Sequence, residues 1–126
     1  MQTRDQQRAL HAYACVQKVE AKERNDYKVQ VNSFGANILR SGLAAAVSFL
    51  ERDKASLFIK HLAKAGIPGL ELKDGEEQKF PEQIRNLELD AYMLATRETL
   101  KVALWFRRAV QAQSWGKDEY DANGTA

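Results

Sequence analysis

Residues 90–114 read DAYMLATRETLKVALWFRRAVQAQS, and their spacing decides the fold class. At about 100° per residue, Ala95, Thr99, Val102, Phe106 and Val110 gather within a sector of roughly 80°, which predicts a core-facing stripe. Arg97, Lys101 and Arg108 fall within about 40° of one another on the opposite side, with Leu104 projecting from the middle of that basic stripe. Neither proline nor glycine interrupts the run, so the pattern predicts a long amphipathic helix, closed by Gly116.

The segments upstream repeat the helical period. Thr3 with Gln6 forms a capping box, and Ala9, Ala12, Tyr13, Val16 and Val19 extend a first helix to about Arg24. Asn25-Asp26 is placed to cap a second helix, with Tyr27, Val31, Phe34 and Ile38 on one face. Gly42 marks a break before a third segment holding Leu43, Val47, Phe49 and Leu50. Asp53 is a candidate cap for a fourth helix, carrying Leu57, Phe58 and Leu62 and stopping at Gly66. Ile67-Pro68-Gly69 reads as a turn and residues 70–79 as an acidic loop; Pro81 suits the first turn of a fifth helix with Ile84 and Leu87.

Composition agrees. Ala and Leu total 31 of 126 residues, against 15 for Val, Ile and Thr together. Residues that lose little rotamer freedom in a helix dominate, and strand formers are scarce. The expectation is one all-α bundle of five to six helices over residues 1–115, with residues 116–126 a disordered acidic tail. The polar N-terminus and the lack of a long apolar run point to a cytoplasmic protein with no membrane partner. Cys15 is the single cysteine, so an internal disulfide and a cysteine-based zinc site are excluded.

The net charge of +2 hides segregation. Residues 71–90 hold seven acids and three bases, whereas residues 91–117 hold five bases and only Glu98. On the first helix Arg4, His11, Lys18 and Lys22 also fall within about 40°, a second basic face. Such faces usually do no more than keep a protein soluble; the alternative is a surface that tracks phosphates. No phosphate loop, metalloprotease motif or nucleophile elbow occurs, so no cofactor, metal, small-molecule substrate or catalytic residue is expected. A hydrolase built on His61 with Glu76 or Glu77 is the weakest of the readings, because His61 suits a place near the last carbonyls of its helix.

Thr3-Arg4, Ala12-Tyr13, Val16, Tyr27, Phe34, Ile38, Gly42-Leu43, Ala46 and Phe49 occur in an order that resembles the small helical subunit of the type III-B CRISPR effector complex, the Cmr module. The stretch Tyr92-x3-Thr96-Arg97-Glu98-x-Leu100-x4-Trp105-Phe106-Arg107-Arg108-Ala109 resembles that family's final helix, and the likeness runs from residue 3 to about residue 112. It departs at Ser41, where the family often has Asn, and at Asn32-Ser33, where it often has Pro. The resemblance implies a non-catalytic antiviral-defence subunit, stacked head to tail with its own copies beside backbone and large subunits. A basic face would then meet target RNA paired with guide RNA, through phosphates and A-form shape. On it Arg4, Lys18, Lys22, Arg40, Arg97, Lys101, Arg107 and Arg108 become candidate RNA contacts; motif correspondence supports Arg97, Arg107 and Arg108, and the others rest on the wheel or on charge. A helical adaptor that binds only proteins stands as the alternative.

Overall fold

The computed structural model describes residues 1–115 and contains six α-helices with no strand among them. They are α1 (Arg4–Gln17), α2 (Arg24–Ser41), α3 (Leu43–Arg52), α4 (Ser56–Ala63), α5 (Phe80–Arg85) and α6 (Leu89–Gln111), with 3-10 turns at Ala21–Glu23 and Glu77–Lys79. The expected tail, and Gly116 as a stop, lie outside the described residues.

α6 is the scaffold. Arg4 and Arg8 of α1 meet Glu98 of α6, and His11 meets Phe106, so α1 runs parallel to α6. Gly35 of α2 faces Ala103 and Gly42 faces Tyr92, so α2 runs antiparallel to it. All five residues of the expected core stripe, Ala95, Thr99, Val102, Phe106 and Val110, are buried. Behind them an aromatic cluster joins α2, α4 and α6. Phe58 meets Phe34, Phe106 and Tyr27 edge-on, at ring-centroid distances of 5.4, 5.5 and 5.6 Å. Each such pair adds about 0.5–1.5 kcal/mol beyond the burial of the rings.

The α1 capping box is present in full: the Gln6 N–H donates to Thr3 Oγ1 at 3.1 Å and the Thr3 N–H donates to Gln6 Oε1 at 2.8 Å. At Gly42 φ is +91° and ψ 163°, a region essentially reserved for glycine, and the chain turns sharply from α2 into α3. α3 has no side-chain cap of its own. Instead, the Ala44 N–H at its start donates to the Tyr92 hydroxyl of α6 at 3.0 Å, tying the α2–α3 corner to the scaffold. Pro81 occupies the first turn of α5, as its missing N–H favours.

Several boundaries differ from expectation. α1 stops at Gln17, not near Arg24: the Lys18 and Val19 N–H groups fold back onto Cys15 and Val16 carbonyls, and Glu20 is extended. Val16 and Val19 are three apart, a spacing that suits both a continued helix and a tight closing turn, and the turn is what buries Val19. α2 consequently starts at Arg24, with Asn25-Asp26 inside its first turn and no side-chain cap. Asp53 closes α3 instead of opening α4; a left-handed Lys54 (φ 57°) follows, and the Ala55 N–H returns to the Leu50 carbonyl at 2.9 Å. α4 ends at Ala63, and α6 at Gln111 and not Ser114.

Candidate nucleic-acid interface

All eight cations singled out by sequence are exposed. They do not form two equal faces. Lys22 sits in the 3-10 turn after α1, paired with Glu20 at 3.5 Å, because the helix ends before it. His11, expected on the solvent-facing basic stripe of α1, instead packs inward. Its ring meets Phe106 edge-on at 5.9 Å, and its Nε2–H donates to the His61 carbonyl at 2.8 Å. The basic face of α1 thereby reduces to Arg4 at one end and Lys18 at the other.

The face of α6 is intact. Arg97, Lys101, Arg107 and Arg108 are exposed, and Leu104 is 46% exposed among them. Arg97 and Arg107 have no acidic partner among the described residues, and the same holds for Arg40 at the end of α2. The Arg108 guanidinium lies 4.8 Å over the half-buried Trp105 ring, a stacking that holds the charge outward without neutralising it. Elsewhere Arg52 is answered by Asp53, Lys64 by Glu77, Lys79 by Glu76 and Arg85 by Glu51, while Lys28, Lys54, Lys60 and Lys73 have no acidic partner among the described residues. The exposed arginines left without an acidic partner among the described residues, Arg40, Arg97, Arg107 and Arg108, lie along α6 and at the end of α2.

Where α1 meets α6, three cations share one carboxylate. Glu98 has a side chain only 7% exposed. Its Oε1 accepts from Arg4 Nη1 at 3.0 Å, while Oε2 faces Arg8 Nη1 at 3.4 Å and Lys101 Nζ at 3.3 Å. Burial alone would raise the carboxyl; the Lys101 ammonium and the Arg8 guanidinium more than offset that and hold it below the ordinary carboxylate range. Arg8 is the residue that sequence reading missed. Its side chain is 3% exposed, and its signal was its place one turn before Ala12, on the apolar side of α1.

Beside this face runs a groove of about 240 Å³ between α2 and α6, lined by Val31, Ala36, Leu39, Leu100, Leu104 and Arg107 among others. Leu39 is 78% exposed, and Leu89 and Met93 stand free farther along α6. The surface thus pairs an apolar strip with a basic one.

The polar groups inside the bundle are arranged for packing. Tyr27 and His61 share a 2.7 Å hydrogen bond between the hydroxyl and Nδ1, and the His61 ring stacks on Phe106. Burial, then the charges of His11, Lys60, Lys64 and Lys18, push His61 down to about 4, so the ring is neutral near pH 7. Burial likewise pushes the Tyr27 hydroxyl up, so it keeps its proton and donates to the ring. His61 does not meet Glu76 or Glu77, which pair with Lys79 and Lys64. Cys15 lies 3.6 Å from His11 Nε2, and burial pushes its thiol up to about 11, which leaves it protonated and unreactive.

Comparison with known proteins places this architecture. A family model described as CRISPR-associated protein (Cas_Cmr5) matches residues 4–113. The CRISPR system Cmr subunit Cmr5 of Thermotoga maritima is 29% identical over 118 residues, spanning 94% of this chain and 90% of that one. The crystal structure of a CRISPR-associated Cmr5 family protein from Thermus thermophilus superposes with a TM-score of 0.74 at 31% identity, covering 88% of this chain and 97% of that one. With a match over nearly the whole described helical core, the chain belongs to the Cmr5 family of CRISPR-associated proteins.

Proposed function

We propose that this protein is a non-catalytic small subunit of a type III-B Cmr ribonucleoprotein, acting in antiviral defence in the cytoplasm. Its α6 face contacts target RNA paired with the guide, and copies of the chain stack head to tail beside the backbone and large subunits. The observation that carries the RNA role is the strip of Arg97, Arg107 and Arg108, three exposed arginines on one helix without an acidic partner among the described residues, whereas the exposed Arg52 and Arg85 are ion-paired. Arginine presents several donors in a rigid fork suited to phosphate oxygens, and such contacts position a duplex without reading its sequence. Sequence choice then belongs to guide–target pairing. Lys101 and Arg4 add to the strip at the α1 seam, Arg40 at the end of α2 is a further contact, and Lys18 and Lys22, exposed at and after the end of α1, are candidate contacts apart from it. The acids around α5 supply a face of opposite sign for the next copy.

A second reading, an adaptor that makes only protein contacts, is favoured by the α2–α6 groove and by exposed Leu39 and Leu104. Charge reversal at Arg97, Lys101 and Arg108 separates the two. The RNA reading expects weaker target-RNA binding by the assembled complex, with the helical circular dichroism of the chain unchanged. Equal affinity at every salt concentration would leave the adaptor reading in place.

A further inference from the structure

The Glu98 centre is built unevenly. One member, Arg8, is enclosed and needs a counter-charge wherever the others go; the other two, Arg4 and Lys101, have side chains 64% and 54% exposed. All three draw on a single carboxylate, so the centre holds one negative charge against three positive ones. Arg8 contacts it through Nη1 alone at 3.4 Å, and among the described residues its buried Nε and Nη2 have no acceptor. A carboxylate shared three ways thus gives its buried partner less than the two parallel hydrogen bonds that a guanidinium can make.

We propose that Glu98 is a positioning residue for phosphate contacts: it parks Arg4 and Lys101 at the α1–α6 seam and yields them to the RNA backbone, while Arg8 retains the carboxylate. The inference rests on the reading that the α6 face meets RNA. The physical argument is one of competition. Arg4 and Lys101 reach the enclosed carboxylate from the solvent side, where their charges are salt-screened, so an approaching row of phosphates takes them over in exchange for Glu98. The departure of two cations frees lone pairs on both carboxylate oxygens, and the donors of Arg8 turn to a bidentate pair. The buried charge is never left alone, which is the condition that would make such an exchange expensive. Lys101 lies one turn from Arg97 and from Leu104, so release of its ammonium adds a cation to a face that already holds unpaired arginines.

The test measures target-RNA affinity of the assembled complex, across a salt series, for the wild type, E98Q, the double variant R8M/E98Q, each of these with K101M, and R97E/R108E. R8M/E98Q removes both enclosed charges together, so that a folding defect caused by an orphaned Arg8 is separated from an effect on RNA. The expected result is that E98Q and R8M/E98Q both bind about three- to tenfold more tightly than wild type, because the pairs of Arg4 and Lys101 with Glu98 no longer have to be broken. K101M is expected to cost more in either Glu98 variant than in the wild type. A purely structural Glu98 would instead give wild-type affinity in R8M/E98Q and the same K101M effect in every background, and that result overturns the inference while R97E/R108E still weakens binding. Unchanged affinity in R97E/R108E overturns the RNA reading itself, and the inference with it.

Discussion

His61 gives the sharpest prediction for the isolated chain. Its imidazole is held neutral in the fold, down to about 4, against an ordinary value of 6.5. The unfolded chain therefore takes up a proton first as pH falls, and the stability due to the neutral, packed ring is complete above about 6.5 and declines toward 4. At about 1.4 kcal/mol per pH unit, a wholly enclosed ring would lose about 3 kcal/mol across that window. His61 remains partly open to solvent, which screens the charge, and a loss of about 1–2 kcal/mol is expected. Glu98 acts in a separate, more acidic range, since its carboxyl lies below the ordinary value and its contribution disappears only as it is protonated. Urea unfolding at pH 7, 6, 5 and 4.5, read as midpoints with the slope held in common, measures the effect. His61→Phe keeps a ring against Phe106 and leaves the Tyr27 hydroxyl without its partner, so the variant starts about 1–3 kcal/mol lower. It should then lose less between pH 6.5 and 4.5 than the wild type does. A wild-type stability flat over that range, or a variant that declines in parallel with it, would refute the reasoning.

Two further perturbations test the packing that positions the α6 face. Phe106→Ala removes the ring that meets Phe58, His11 and His61, and should cost about 3–5 kcal/mol in the same urea assay. Gly42→Ala forces a side chain into φ +91°, and its Cβ would stand 3.3 Å from the Tyr92 hydroxyl that caps α3; a loss of about 1–3 kcal/mol is expected, with the α2–α3 corner exchanging amide hydrogens faster.

Much of this protein was legible in its sequence, and the reasons differ by element. α6 was the clearest because 23 residues without glycine or proline leave one consistent assignment of faces. Gly42 and Pro81 were legible because each has a backbone requirement of its own. The end of α1 was not, because Val16 and Val19 fit two local conformations and only tertiary burial of Val19 chooses between them. That single difference moved Lys22 off the helix. His11 turned inward for a related reason: a wheel drawn for one helix does not show that the carbonyl end of α4 lies within reach of its ring. Arg8 and Glu98 each sit beside apolar positions of their own helices, yet only the pairing of α1 with α6 shows that the two compensate each other.

The α6 strip also explains why a net charge of +2 says so little. Ion pairs answer much of the positive charge near the acidic 71–90 segment, among them Lys64 with Glu77, Lys79 with Glu76 and Arg85 with Glu51. The arginines of α6 keep theirs. On the proposed reading, such a surface has little bulk attraction for nucleic acid and one strip at which to hold it.

The most direct measurement is the salt dependence of target-RNA binding by the assembled complex, with wild-type chain and with Arg97, Lys101 and Arg108 reversed to glutamate. Removing one phosphate-bound cation lowers the slope of log affinity against log salt by about 0.7–0.9. The RNA reading predicts weaker binding at low salt and a slope shallower by roughly 2–3. Two parallel lines of equal affinity would contradict it.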